Sequence, residues 1–318
     1  MFDQSGSPSP PEGLVIELVT PLTDAGDLDT EGLSRLALRT ITAADALLVG
    51  GVEAGEGLVL TAEVRRQLVT QTLEIVGGRR PLFVGITGQT PEETREWALT
   101  VRQEMDRQGY AGQVFLTDLP LWYHSNRGLP QFYQELLEAV RLPLILFNLP
   151  GVVSRRALLF KHRNIRTQVV KKLAALPEVA GIIYRGDMRR FLNYHLAAVA
   201  QPTFAFYEAD ENRFLTRPGA WGVVSQGAQL HPEAWQRVTR ACLHPEEVAE
   251  DFTARHELWE ESTRLQNLAG LYRSAPAPLL KASLAAQGVI QSDAVASGTS
   301  PAPPPQRQKF LKFPDTTS

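Results

Sequence analysis

The sequence predicts an α/β chain folded as a (β/α)8 TIM barrel with a C-terminal helical extension. Three observations predict it. Short apolar runs recur along the chain, and longer segments of helical period separate them. The runs are near-continuous in Val, Ile, Leu and Phe instead of alternating, as strands buried on both faces must be. Strand and helix take turns over most of the length, which is the barrel pattern.

Taken in order, the expected strands are Leu14–Val19, Ala46–Gly50, Leu82–Ile86, Gln113–Thr117, Leu142–Phe147, Val179–Tyr184, Thr203–Tyr207 and Trp221–Val224. Amphipathic stretches fall between them, among them Thr30–Thr42, Thr61–Ile75, Pro91–Gln108 and Leu129–Val140. Thr61 with Glu63, and Pro91 with Glu92 and Glu93, are helix starts that set acids beside the positive helix end. The barrel is expected over residues 13–243 and a helical extension over 244–288. Residues 1–12, with Pro8, Pro10 and Pro11, and the Pro/Ser-rich tail 289–318 are expected to be disordered, because such composition buries too little apolar surface to offset ordering entropy. The sticky, basic end Gln308–Phe313 reads as a frayed terminus.

A net charge of −3 and a pI of about 6.1 argue against nucleic acid or a membrane surface as partner. No apolar run approaches the ~20 residues of a membrane helix. The start of the chain lacks the basic and apolar regions of a signal peptide, and Cys242 is the one cysteine, so a cytoplasmic, reducing setting is expected.

Motifs at the strand ends are more specific. Leu18-Val19-Thr20-Pro21-Leu22, Gly55-Glu56 with Leu60-Thr61, Phe147-Asn148-Leu149-Pro150-Gly151, Val179-Ala180-Gly181-Ile182, Gly219 to Ser225 and Ala277-Pro278-Leu279-Leu280-Lys281 follow one another in order. Together they resemble the dihydrodipicolinate synthase and N-acetylneuraminate lyase family over residues 13–288. The resemblance implies a class I aldolase-like barrel, a strand-six lysine that condenses with pyruvate, and a homo-oligomer.

The sequence departs from that pattern where the chemistry is done. The lysine position falls on Ile183, followed by Tyr184 and Arg185, and the strand-five tyrosine position on Phe147. Val52-Glu53-Ala54 stands where the family has paired threonines. Only a primary amine forms the iminium, and a guanidinium stays protonated and delocalised. Lys171 and Lys172 fall on the preceding helix, so a small register error does not restore the amine.

Other polar groups are expected at the C-terminal rim, where barrel active sites are built. Glu17, Glu53, Glu208, Asp210 and Arg185 all fall near strand ends. Glu53 or Glu208 could act as a base while Arg185 holds a carboxylate, with Asn148, Tyr123 and Tyr184 as further substrate-binding residues. A compensating ion pair across a vacated pocket is the competing reading. No histidine spacing suggests zinc, and neither metal nor cofactor is expected. His124, a lone histidine after Trp122-Tyr123, reads as structural or solvent-exposed.

From Ser154 to Lys172 the chain carries Arg155, Arg156, Lys161, Arg163, Arg166, Lys171 and Lys172 with no acid. This positive stretch suggests a small anionic metabolite, against the alternative of a solvated helix face. Leu158, Leu159 and Phe160 within it suggest packing against something, such as another subunit. Three readings stay open: a binding protein that has lost the chemistry, an enzyme of different mechanism on a small keto or sugar acid, and an ordinary lyase whose lysine lies elsewhere.

Overall fold

Eight parallel strands pair in sequence order and close, β8 returning to β1. The computed structural model describes residues 9–156, 162–216 and 219–313. The strands are β1 (Gly13–Glu17), β2 (Ala46–Val49), β3 (Leu82–Gly85), β4 (Val114–Asp118), β5 (Leu144–Asn148), β6 (Val179–Tyr184), β7 (Ala205–Glu208) and β8 (Gly222–Ser225). The helices of the barrel are α1 (Thr30–Thr40), α2 (Ala62–Val76), α3 (Pro91–Gln108), α4 (Leu129–Val140), α5 (Pro150–Ser154), α6 (Thr167–Ala174), α7 (Met188–Ala198), α8 (Glu211–Thr216) and α9 (Pro232–Leu243). Then come α10 (Phe252–Tyr272), α11 (Pro276–Ala286) and α12 (Pro304–Leu311).

The expected elements are present, with strand ends displaced by one or two residues. At β5 the reason is local: Pro143 has no N–H to give, so although its carbonyl accepts from Leu116 N, the first donor of the strand is Leu144 N. The helix starts behave as their residues require. Thr61 and Thr90 side chains accept from the backbone N–H of Val64 and Glu93, and Gly77 and Gly109 end α2 and α3 in the left-handed conformation.

The strand period decides which residues enter the barrel. Tyr184 packs on Phe191 and Tyr194 of α7, and Phe206 stacks on His195 of the same helix, so both point outward. Their neighbours Ile183 and Tyr207 therefore point inward. Phe83, Phe115 and Tyr207 meet across the barrel with ring centroids 5.3 and 5.8 Å apart. Beneath them the N-terminal stretch seals the floor: the Tyr207 hydroxyl donates to the Pro11 carbonyl, and Trp221 Nε1 to that of Pro10 at 3.2 Å.

Two expectations of disorder need correction for residues 9–12 and 289–313; residues 1–8 and 314–318 lie outside the described residues. Pro10 and Pro11 are tied to the barrel as just described. The segment after α11 also packs back on the molecule, burying Ile290, Ala296, Ala302 and Phe310. Gln291 N donates to Asp29 Oδ2 and Ala296 N to Glu56 Oε1, each at 2.8 Å. Its few apolar anchors are widely spaced, and its prolines lower the entropy that ordering must overcome. Leu158, Leu159, Phe160 and Lys161 lie outside the described residues. No helix among the described residues is long and apolar enough to cross a membrane.

Candidate functional site

β1 delivers Glu17 to the C-terminal mouth of the barrel, almost fully buried. Its Oε1 accepts from the backbone N–H of Glu53 at 3.3 Å and of Gly55 at 3.2 Å. Gly51 lies against it, and a side chain there would displace the Glu17 carboxylate. Glu17 Oε2 accepts from the amide of Gln226 at 3.1 Å, and the same nitrogen donates to Glu53 Oε2 at 3.2 Å. One amide thus bridges two carboxylates. Burial, and then the neighbouring Glu53, push the Glu17 carboxyl up to about 7.

Glu53 is closed from its other side by Arg185, whose Nη1 lies 2.9 Å from Oε1 and 2.8 Å from Oε2. Arg185 also donates from Nε to the Ala209 carbonyl at 3.1 Å. Burial would lower the guanidinium, but Glu53, helped by Asp210 and Glu211, more than offsets it and Arg185 is held firmly charged. Arg155 Nη2 stands 4.0 Å from Glu53 Oε1, with the Arg155 side chain more than half exposed at the mouth. Glu17, Gln226, Glu53 and Arg185 therefore form one continuous chain, with Arg155 at its solvent end.

Below this chain the lining is mostly apolar, although parity with Phe115 also turns the buried Thr117 inward. Ile183 pairs in register with Phe147 on one side and Tyr207 on the other, and Ile183 is fully buried. The described lysines lie elsewhere. Lys171, Lys172, Lys309 and Lys312 are exposed or partly so, and Lys281 on α11 is buried in an ion pair with Glu56.

The structure does not bring the other expected binding residues to the mouth. Asn148 faces outward: its Oδ1 accepts from Ile165 N at 2.9 Å and its Nδ2 donates to Asn164 at 3.0 Å. With Phe147 turned into the barrel, its neighbour has to turn out. Tyr184 obeys the same rule opposite Ile183, its hydroxyl donating to the Asp187 carbonyl at 2.8 Å. The Tyr123 hydroxyl is taken up by Asp118, a buried carboxylate that also accepts from Tyr133 at 2.6 Å and Thr87 at 2.7 Å. His124 is directed to the Ser125 carbonyl at 2.6 Å.

Glu208 also stands apart from Glu53. It accepts from Asp210 N at 2.9 Å and lies 3.9 Å from Arg213. Burial pushes it up to about 7, with the hydrogen bond and Arg213 only partly opposing. Asp210 is spent on Arg273 at 2.9 Å. In the basic stretch, Arg156 donates to the Trp122 carbonyl at 2.6 Å and lies over that indole, while Lys171 and Lys172 sit in the last turn of α6, where cations suit the helix end.

Sequence reasoning missed Gln226 and the groups that fix it. Glu211 Oε1 accepts from Gln226 N and Gly227 N, each at 2.9 Å, and from Ser225 Oγ at 2.5 Å. Strand parity held the signal: Ser225 turns out to Glu211, so the next residue turns in.

Eight parallel strands carrying acid, amide and guanidinium groups at their C-terminal ends define a (β/α)8 barrel whose mouth is built for polar chemistry. The chain belongs to the dihydrodipicolinate synthetase family, whose model matches residues 10–312. It is 26% identical over 242 residues to the 4-hydroxy-tetrahydrodipicolinate synthase of Protochlamydia amoebophila, covering 73% of this chain and 75% of that one. To the synthase of the same name from Stenotrophomonas maltophilia it is 28% identical over 252 residues, covering 76% and 78%. Among solved structures, the dihydrodipicolinate synthase of Bacteroides thetaiotaomicron superposes with a TM-score of 0.78 at 26% identity, covering 96% of this chain and 98% of that one. A monomeric dihydrodipicolinate synthase variant gives 0.79 at 21% identity, covering 96% and 97%, a likeness of fold.

Proposed function

We propose that this barrel has lost Schiff-base chemistry on pyruvate and binds a small anionic metabolite at its mouth. The carrying observation is the buried Ile183 flanked in register by Phe147 and Tyr207. A hydrocarbon, a phenyl ring and a deeply set phenol offer no amine to a ketone. Arg155, half open to solvent beside the Glu53–Arg185 pair, supplies the cation that an incoming carboxylate or phosphate would meet first. On this reading the chain is a pseudoenzyme of the family, working without cofactor or metal. Its setting is cytoplasmic, as a homo-oligomer.

Calorimetric titration with pyruvate and a panel of small keto, sugar and phosphorylated acids tests the binding. One acid binds with unchanged composition after incubation, and Arg155→Met weakens it at least tenfold. Binding that ignores Arg155, or turnover of the bound acid, would contradict the proposal.

One observation favours a second reading, an enzyme of different mechanism on a small keto or sugar acid. Glu17, and separately Glu208, carry carboxyls pushed up to about 7, suited to general acid–base catalysis near neutrality. On that reading Glu53 or Glu208 serves as the base, Arg185 orients the substrate, and turnover collapses in Glu53→Gln or Glu208→Gln. Binding without turnover across the panel decides against it.

A further inference from the structure

We infer that the C-terminal segment 289–313 is a strap that positions the mouth, with Glu56 and Tyr272 as the positioning residues through which it holds the Glu53 and Gln226 loops. Two independent sets of contacts carry this, and they end on the two partners of one hydrogen bond.

The first arm runs to Glu53. Glu56 is held at φ 55°, a left-handed conformation that a non-glycine residue keeps only when its surroundings enforce it. The enforcement comes from the C-terminal part of the chain. Glu56 Oε1 accepts from Ala296 N at 2.8 Å, and Oε2 pairs with Lys281, whose Nζ donates onward to the Ala294 carbonyl at 2.8 Å. Glu56 N in turn donates to the Glu53 carbonyl at 3.3 Å, closing the turn that presents Glu53 to the mouth.

The second arm runs to Gln226. Phe310 of α12 is fully buried, its ring edge-on to Tyr272 at 6.2 Å, and Gln306 fastens α12 to Ser274 Oγ at 2.6 Å. The Tyr272 hydroxyl donates to Glu211 Oε2 at 2.7 Å, and Glu211 Oε1 holds the backbone N–H of Gln226 and Gly227. The Gln226 amide then reaches Glu53 and Glu17. The strap thus supports both sides of the carboxylate bridge without touching it. Such coupling travels through contiguous bonded groups whose docked and undocked arrangements differ. It concerns how the site is built, and holds whether the mouth binds its anion or transforms it.

Amide hydrogen exchange on the full chain, read by mass spectrometry without ligand, tests it. Ala296→Pro removes the N–H given to Glu56, and Tyr272→Phe removes only the hydroxyl given to Glu211. The expected result is exchange about tenfold faster at residues 53–57 in the first variant and at 226–227 in the second, with α3 and α4 unchanged in both. Faster exchange confined to the strap would overturn the inference. So would exchange raised evenly over the barrel, which marks a structural role only. Because Tyr272→Phe leaves the ring packing in place, the second arm is tested even if Ala296→Pro disturbs folding. No ligand enters the measurement, so its failure is separate from failure of the proposed anion binding.

Discussion

The two ends of the barrel are filled by opposite means. At the N-terminal floor, Phe83, Phe115 and Tyr207 close the interior with rings, and the one buried hydroxyl donates to a carbonyl. At the C-terminal mouth, two carboxylates share an amide, and one of them also pairs with a guanidinium, within a largely buried layer. Aromatic burial contributes stability outright, whereas buried charges are expensive to desolvate and are balanced only by their partners. Polar groups retained at such cost mark the mouth as the working end, and the floor as the end that holds the fold.

The sharpest break in this comparison is expected at the floor. Phe83→Ala should cost about 3–5 kcal/mol by denaturant unfolding, while leaving the affinity for an anion at the mouth unchanged in the folded fraction. At the mouth, Arg185→Met leaves Glu53 buried without its ion-pair partner and should cost about 3 kcal/mol, together with the loss of anion binding. Equal effects of both substitutions on affinity would erase the distinction between the ends.

A third effect depends on pH. The Glu17 carboxyl is raised in the folded protein above its ordinary value, so the folded state binds the extra proton between the two values. Its favourable contribution is complete below about pH 4.5 and is lost as pH rises through about 7. Stability should therefore fall by about 3 kcal/mol from pH 5 to pH 8, and Glu208 acts in the same direction. Denaturant midpoints across this range should flatten in Glu17→Gln. A Glu17→Gln profile as steep as the parent's would show that Glu17 does not titrate there. The smallest effect belongs to Tyr184→Phe, which removes one outward hydrogen bond to the Asp187 carbonyl. It should cost about 1 kcal/mol with no change in affinity at the mouth.

The barrel was legible because buried parallel strands leave continuous apolar runs, and because Thr61 and Pro91 mark helix starts chemically. Glu53 and Arg185 were legible as rim charges, since each lies just past a strand end, β2 and β6, and side chains from opposite sides of a closed barrel can meet across its mouth. Asn148 and Tyr184 were misread because proximity to the motif was weighed above parity: each adjoins an inward residue, and a strand turns successive side chains to opposite faces. Gln226 was overlooked although the same rule points to it. The strap was illegible for a different reason. Its order rests on a few distant contacts, such as Phe310 on Tyr272 and Ala296 on Glu56, which composition does not reveal.

The most direct measurement is reductive trapping: the protein is incubated with pyruvate and borohydride, then weighed intact and as peptides. With Ile183 on the strand-six position, the mass should stay that of the unmodified chain, while an authentic synthase treated alongside gains the adduct. A pyruvate-derived increment on any lysine peptide, from Lys161 to Lys312, would contradict the account.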